Sequence, residues 1–134
     1  MSTVPGVGCP FCERISAYRA VAENGLAAAL LDRFPVSPGH ILVVPKRHEA
    51  DFLALTAQEH AAIMELVQCV RHRMVWVHGP TPDGYNIGVN VGGAAGQTVG
   101  HAHLHLIPRY KGDVDDPRGG VRWVVPSKAK YWKD

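Results

Sequence analysis

Apolar and polar residues alternate most sharply over positions 101–107, His-Ala-His-Leu-His-Leu-Ile. Alternation is the period of a strand. It sends His101, His103 and His105 to one face and Ala102, Leu104 and Leu106 to the other, where they suit a core. Pro108 ends this strand or sits at its edge. Ile41-Leu-Val-Val-Pro45 is an unbroken apolar run and reads as a strand buried on both faces. Tyr85 to Val91 alternates again and reads as a third strand. Leu26 to Leu31 has helical propensity, but it is short and held between Gly25 and the Pro35/Pro38 loop, so it is assigned to a strand. Asn24-Gly25 before it is a turn signal and suggests a hairpin-like entry into the sheet. Residues 13–24 read as a short helix or turn, and Trp123 to Pro126 as a last short strand.

Thr56-Ala-Gln-Glu59 is a capping box and opens a long helix that runs to about Val77. Ile63, Leu66, Val67, Val70, Met74 and Val77 recur at helical spacing and make one apolar stripe. Cys69 belongs to this packed helix. His60, His72 and His78 lack partners at motif spacing and read as surface residues, as do Lys46 and Arg47. The pattern predicts an α+β fold: an antiparallel sheet of about five strands, with one long and one short helix.

Length and composition narrow the class without choosing a chemistry. The 134 residues suit one domain (1–134), with a flexible lead at 1–8 and a C-terminal segment at 110–134. A hydrophobic fraction of 46% and a charged fraction of 19% are those of a globular chain. A net charge of +2 argues against a dedicated nucleic-acid surface. The start of the chain has no basic leader or long apolar run, so neither a signal peptide nor a membrane span is expected. Three cysteines form no disulfide-scaffold pattern and point to the cytoplasm.

The three imidazoles in one row admit three readings. They form a His-rich surface strand, a metal site built from all three, or a site of nucleophilic chemistry in which one ring attacks and its neighbours orient it. Alternate strand positions lie ~6.6 Å apart, so the row spans about 13 Å, which is awkward for one ion. Cys9-Pro-Phe-Cys12 is a redox pair, half a metal site or a coincidence. A thioredoxin-like pair would want a preceding strand, for which there is no room. Zinc would want two further ligands, for which His48 and His101 are candidates.

Gln97-Thr-Val-Gly-His-Ala-His-Leu-His-Leu-Ile107 resembles the signature of the histidine triad (HIT) family, His-x-His-x-His-x-x with apolar x. Supporting matches run from Cys9 to Arg109. That family comprises nucleotide hydrolases and transferases working through a nucleotidyl-histidine intermediate, and the chain looks most like its diadenosine polyphosphate hydrolase-like members. The resemblance implies that His103 is the nucleophile, with His105 and the supporting His40 beside it. It also implies that Gln97 and Thr98 steady the phosphoryl and leaving groups.

In the family an acid or amide eight residues before a Gly-His binds ribose, and Asp32 stands at that spacing from His40. Arg33, Phe34 and Phe11 would line the nucleoside pocket. Asn90, eleven residues before His101, matches a polar position that contacts ribose or phosphate. The loop Gly92-Gly-Ala-Ala-Gly96 between them can bring backbone amides to a phosphate. A zinc-containing branch of the family has ligands matching Cys9, Cys12, His48 and His101, so the resemblance implies structural zinc. Substrate-bound Mg²⁺ is compatible with the lack of an acidic pair near the triad.

The substrate class implied is a purine nucleotide cleaved at its α-phosphate, as a diadenosine polyphosphate or a nucleoside phosphoramidate. A nucleotide-binding regulatory module with little turnover is the alternative. Family members are usually homodimers, and their C-terminal segment often reaches the neighbouring site. That makes Arg118 and Arg122 candidates for the distal part of a substrate.

Overall fold

A computed structural model describes residues 6–73 and 80–133. Helix α1 (Pro10–Ser16) is followed by strands β1 (Ala22–Glu23), β2 (Ala27–Leu31) and β3 (Ile41–Pro45). Helix α2 (Ala57–Arg73), strand β4 (Gly84–Val89), strand β5 (Leu104–Arg109) and the single-turn helix α3 (Pro126–Ala129) complete the order. The five strands make one antiparallel sheet in the order β1-β2-β3-β5-β4. This is the α+β architecture that the pattern predicts, with one helix more than expected.

Local chemistry explains the boundaries. Asn24 turns β1 into β2 by accepting from the amides of Leu26 and Ala27 with its own side chain, so the expected hairpin forms. At α2 the Glu59 amide donates to the Thr56 hydroxyl at 3.1 Å, and the Thr56 amide donates to Glu59 at 2.9 Å, which is the reciprocal capping box. Arg47 adds two bonds to the same carboxylate and is therefore paired, against the expectation that it is merely solvated. Lys46 likewise lies 3.4 Å from Glu23. These bonds, Arg47's first, hold the Glu59 carboxyl down at about 2.

Two apolar layers sandwich the sheet. Ile41, Val43, Leu104 and Leu106 pack with Ile63, Leu66, Val67 and Val70 of α2 on one side. Leu30, Leu42 and Val44 pack with Cys9 and Phe11 on the other, beneath α1. Strand β3 is thus buried on both faces, as its unbroken apolar run predicts. Met74, Val77 and His78, and the expected end of the helix at Gly79, lie outside the described residues.

Five expectations are corrected. The ladder of β5 starts at Leu104, so His101 and His103 precede the strand and only His105 lies within it. Pro108 is inside β5, opposite Tyr85, at a point where β3 has already ended on the other flank. Its carbonyl there accepts from the Ser37 hydroxyl at 2.7 Å. The stretch 123–126 is not a strand: Gly120–Val124 is a 3-10 turn and Pro126 begins α3. His60 is half-buried and bonds the Phe52 carbonyl at 2.8 Å. The lead differs too, since residues 6–8 form a turn in which the Gly6 carbonyl receives the Cys9 amide.

Candidate active site and metal centre

The register Leu42–His105 puts His105 on the face of the sheet that α1 covers, while Leu104 and Leu106 turn to α2. The residues before the strand keep this alternation without a strand partner. His101 Nε2 lies 2.8 Å from the Pro45 carbonyl, and the Ala102 amide donates to the Glu49 carbonyl at 2.6 Å. The segment that leaves β3 therefore straps down the two residues ahead of the nucleophile candidate. Ala102 is buried in the α2 core, and Phe11 meets both His101 and His103 edge-on, at ring distances of 5.7 and 5.2 Å.

Carbonyl acceptors fix the tautomers, because a carbonyl can only accept. His103 Nδ1 lies 2.8 Å from the His101 carbonyl and so carries the proton, leaving the Nε2 lone pair available. The second chain of bonds starts at a donor. The Val36 amide donates to His40 Nδ1 at 3.1 Å, so in neutral His40 the proton sits on Nε2. That N–H donates to His105 Nδ1 at 3.0 Å, with Asp32 Oδ2 at 3.4 Å from the same nitrogen. His105 must then carry its own proton on Nε2, as a donor. Burial pushes the pKa values of His40 and His105 below the usual histidine range, and for His105 the neighbouring His103 and His40 act in the same direction. The rings of His103 and His105 are 5.1 Å apart. A bare nucleophilic nitrogen therefore stands beside a ring set to donate.

These rings open into a cavity of about 590 Å³ that also exposes Phe11, Asp32, Arg33, Phe34, Asn90, Gly96 and Thr98. The size suits a nucleoside-sized ligand. Asp32 Oδ1 accepts from the Phe34 amide at 2.8 Å, which holds the carboxylate at the cavity wall. The loop after Asn90 needs positive φ at Gly92 (87°) and Gly96 (94°), conformations that a side chain would strain. Gln97 departs from expectation. It does not line the cavity, and its amide is fully used inside the protein. Arg118 and Arg122 are likewise committed within the tail: Arg118 pairs with Asp116 and lies over Trp132, while Arg122 donates to the carbonyls of Ala129 and Lys128.

A second cluster gathers Cys9, Cys12, His48 and His101, whose ligand atoms all lie within 4.8 Å of one another. His101 Nδ1 is 3.5 Å from Cys9 Sγ, 3.4 Å from Cys12 Sγ and 3.2 Å from His48 Nδ1, and Cys12 Sγ is 3.3 Å from His48 Nδ1. Tetrahedral zinc with bonds of ~2.3 Å to sulfur and ~2.05 Å to nitrogen would have ligand–ligand edges of ~3.3–3.8 Å. The His101 Nε2 proton points at Pro45, so its Nδ1 lone pair faces the cluster, as ligation requires. The donor set and its spacing are compatible with zinc. Burial pushes the Cys12 thiol up to about 11, with the Cys9 thiol beside it adding to the rise.

Asp32, His40 and His105 are also close enough to share an ion. The tautomers oppose it, because the Val36 amide leaves His40 Nε2 protonated and unable to ligate. Of the three histidines of the row, His101 belongs to one cluster, His105 to the other and His103 to neither. The reading in which all three hold one metal does not match this geometry.

The sequence model of the HIT domain matches residues 15–112. The chain belongs to the HIT family. An uncharacterized HIT-like protein of Mycoplasma genitalium is 38% identical over 107 residues, 77% of this chain and 74% of that protein. Adenosine 5′-monophosphoramidase of Schizosaccharomyces pombe is 36% identical over 106 residues, 77% of this chain and 75% of that enzyme. AP-4-A phosphorylase of Mycobacterium tuberculosis is 36% identical over 96 residues; the match takes in 71% of this chain but only 48% of that enzyme.

Among solved structures, a HIT family protein from Bacillus anthracis superposes with a TM-score of 0.70 at 39% identity, covering 78% of this chain and 75% of that one. A zinc-bound histidine triad family protein from Mycobacterium smegmatis superposes with a TM-score of 0.69 at 32% identity, covering 96% of this chain and 84% of that one. Among the described residues no helix is long and apolar enough to cross a membrane.

Proposed function

We propose that this HIT protein is a nucleotide hydrolase or nucleotidyltransferase that cleaves at the α-phosphate through a covalent nucleotidyl-histidine on His103. The observation that carries the reading is the 2.8 Å contact from His103 Nδ1 to the His101 carbonyl, which commits one ring nitrogen and frees the other. Nε2 attacks phosphorus in line with the leaving group. The bond from phosphorus to the leaving atom breaks, and water or another acceptor later displaces His103.

His105 touches the reacting group. Its Nε2 proton meets a non-bridging oxygen or the leaving atom, where negative charge builds. His40 is a positioning residue: it delivers its own proton to His105 Nδ1 and so keeps His105 a donor. Asp32 takes the ribose hydroxyls, since a carboxylate can accept from both. Asn90 and Thr98 face the phosphate and ribose, and neither side chain is engaged by another described residue. Arg33, Phe34 and Phe11 shape the nucleoside pocket. Substrates of the two kinds turned over by the named relatives, diadenosine polyphosphates and adenosine phosphoramidates, both present the α-phosphate that this site would attack.

Zinc at Cys9, Cys12, His48 and His101 is structural in this reading, because all four positions are filled by protein and no site is left for substrate. It ties the start of α1 to the residue whose carbonyl holds the nucleophile. The free edge of β4 suits a homodimer, and three cysteines without a disulfide suit the cytoplasm. The test is turnover of adenosine 5′-phosphoramidate and of diadenosine tetraphosphate by the wild type beside His103→Ala. Cleavage of either by the wild type alone supports the reading, and equal rates in the two proteins reject it.

A further inference from the structure

Gln97 lies one residue from Thr98 at the cavity, yet its side chain faces the other way. Its Oε1 accepts from the Gly92 amide at 2.9 Å. Its Nε2 donates to the Ala50 carbonyl at 2.8 Å and to the Val99 carbonyl at 3.0 Å. Its own amide donates to the Gly92 carbonyl at 3.2 Å. Both polar groups of the Gly92 backbone therefore end on Gln97, one on its side chain and one on its backbone, and the five-residue loop is closed by one residue. Within that loop the amides of Ala95 and Gly96 are also consumed, by the carbonyls of Gly92 and Gly93. The next residue, Thr98, keeps its amide and hydroxyl free of other described residues while it lines the cavity.

The bond to Ala50 has a further consequence. Ala50 follows Glu49, whose carbonyl holds the Ala102 amide, and His48, which belongs to the cysteine–histidine cluster. The short strap 48–50 thus touches the cluster, the backbone between His101 and His103, and, through Gln97, the glycine loop. A side chain placed to contact a leaving group would keep a polar atom for it. Gln97 has its oxygen and both of its amide protons engaged by backbone.

We propose that Gln97 is a positioning residue: it clamps the loop 92–97 to the strap 48–50 and so aims the Thr98 amide and hydroxyl at the α-phosphate, without touching substrate. This rests on the proposed nucleotide chemistry. Loss of the clamp lowers the rate by the same factor whatever the leaving group, because the α-phosphate is common to all substrates. A residue that contacted the leaving group would matter more as that group became poorer.

The test compares wild type with Gln97→Met, which keeps length and loses all three side-chain bonds. The substrates are two adenosine 5′-phosphoramidates, one of an aromatic amine and one of an aliphatic amine. The expected result, measured below the variant's melting point, is a fall in kcat/KM of tenfold or more, equal on both amines within a factor of two. A fall several-fold larger on the aliphatic amine overturns the proposal, as does an unchanged kcat/KM, which would leave Gln97 a purely structural residue. A measurement on wild type alone needs neither a folded variant nor turnover: hydrogen exchange of the Gln97 side-chain amide by NMR. Exchange slowed tenfold or more with no nucleotide present is expected, and exchange at the free-amide rate overturns the clamp. If the wild type cleaves neither amine, the function reading fails while the exchange result still decides the clamp.

Discussion

His103 holds its ring by donating Nδ1–H to the carbonyl of His101, 2.8 Å away, while the ring of His101 faces two cysteines and a third histidine. One residue therefore joins the nucleophile candidate to the cysteine–histidine cluster, through its carbonyl on one side and its imidazole on the other. The clearest consequences concern protonation, metal and the cap of α2.

Cys12→Ser removes one of the four proposed zinc ligands. The variant is expected to lose zinc on dialysis where the wild type retains about one equivalent, because four-coordinate structural sites depend on every ligand. Elemental analysis beside AMP titration checks it. Stability and kcat should fall together, since His101 then keeps its bond to Pro45 but loses its anchor in the cluster. Full zinc content in the variant would contradict the ligand assignment.

His40→Ala removes the donor that fixes His105. We expect kcat to fall roughly 100-fold, the low end of what a positioned proton donor contributes. The pH profile adds a test of position. Both rings work neutral and have lowered pKa values, so kcat/KM falls as pH drops through those depressed values, below the usual ~6.5. Removing His40 takes away burial and a like charge, which moves the His105 pKa upward. The acid limb of the variant should therefore lie at higher pH than that of wild type.

The same shifts govern stability. A histidine with a lowered folded pKa binds its proton more readily when unfolded, so its contribution is complete above ~6.5 and is lost as pH falls toward the folded value. Glu59 adds a separate limb. Its carboxyl is held at about 2 against an ordinary 4.5, so its contribution is complete above 4.5 and disappears as pH falls through about 2. Urea denaturation at successive pH values should show the histidine loss setting in below ~6.5 and the Glu59 loss below 4.5. In Glu59→Gln the lower limb should be shallower, while Asp113 and Asp116, whose carboxyls Arg109 and Arg118 hold below the usual range, keep a remainder.

Thr56→Ala breaks half of the capping box. The expected cost is about 1 kcal/mol, or roughly 4 °C in Tm for a chain of this size. Calorimetry checks it, with kcat unchanged, because the cap lies on the α2 side of the sheet.

Much of this was readable in the sequence because the governing signals were local. The unbroken run Ile41–Pro45, the Asn24-Gly25 turn and the Thr56–Glu59 box each specify their own element, and alternation sorted Ala102, Leu104 and Leu106 from the histidines. The Cys9, Cys12, His48 and His101 grouping required the family resemblance, since two of its four members lie far apart in the chain.

Two of the misreadings share one cause, the destination of hydrogen bonds over long sequence distances, and the third is a local turn. His101 and His103 fall outside β5, and the amide between them, that of Ala102, goes to the Glu49 carbonyl in place of a strand partner. Gln97 read as a substrate donor because no local pattern shows that Ala50 would claim its amide. The tail around Trp123 has strand-like residues, but Gly119 and Gly120 turn it into a 3-10 segment.

The central claim, a covalent intermediate on His103, is tested most directly by intact mass spectrometry after a brief acid quench. Wild type and His103→Ala are mixed with adenosine 5′-phosphoramidate or diadenosine tetraphosphate, and product is measured in the same samples. An adenylyl adduct is expected on wild type alone, with near-total loss of product in the variant and AMP affinity within tenfold of wild type, about 1.4 kcal/mol. Product formation by His103→Ala at the wild-type rate would contradict the claim.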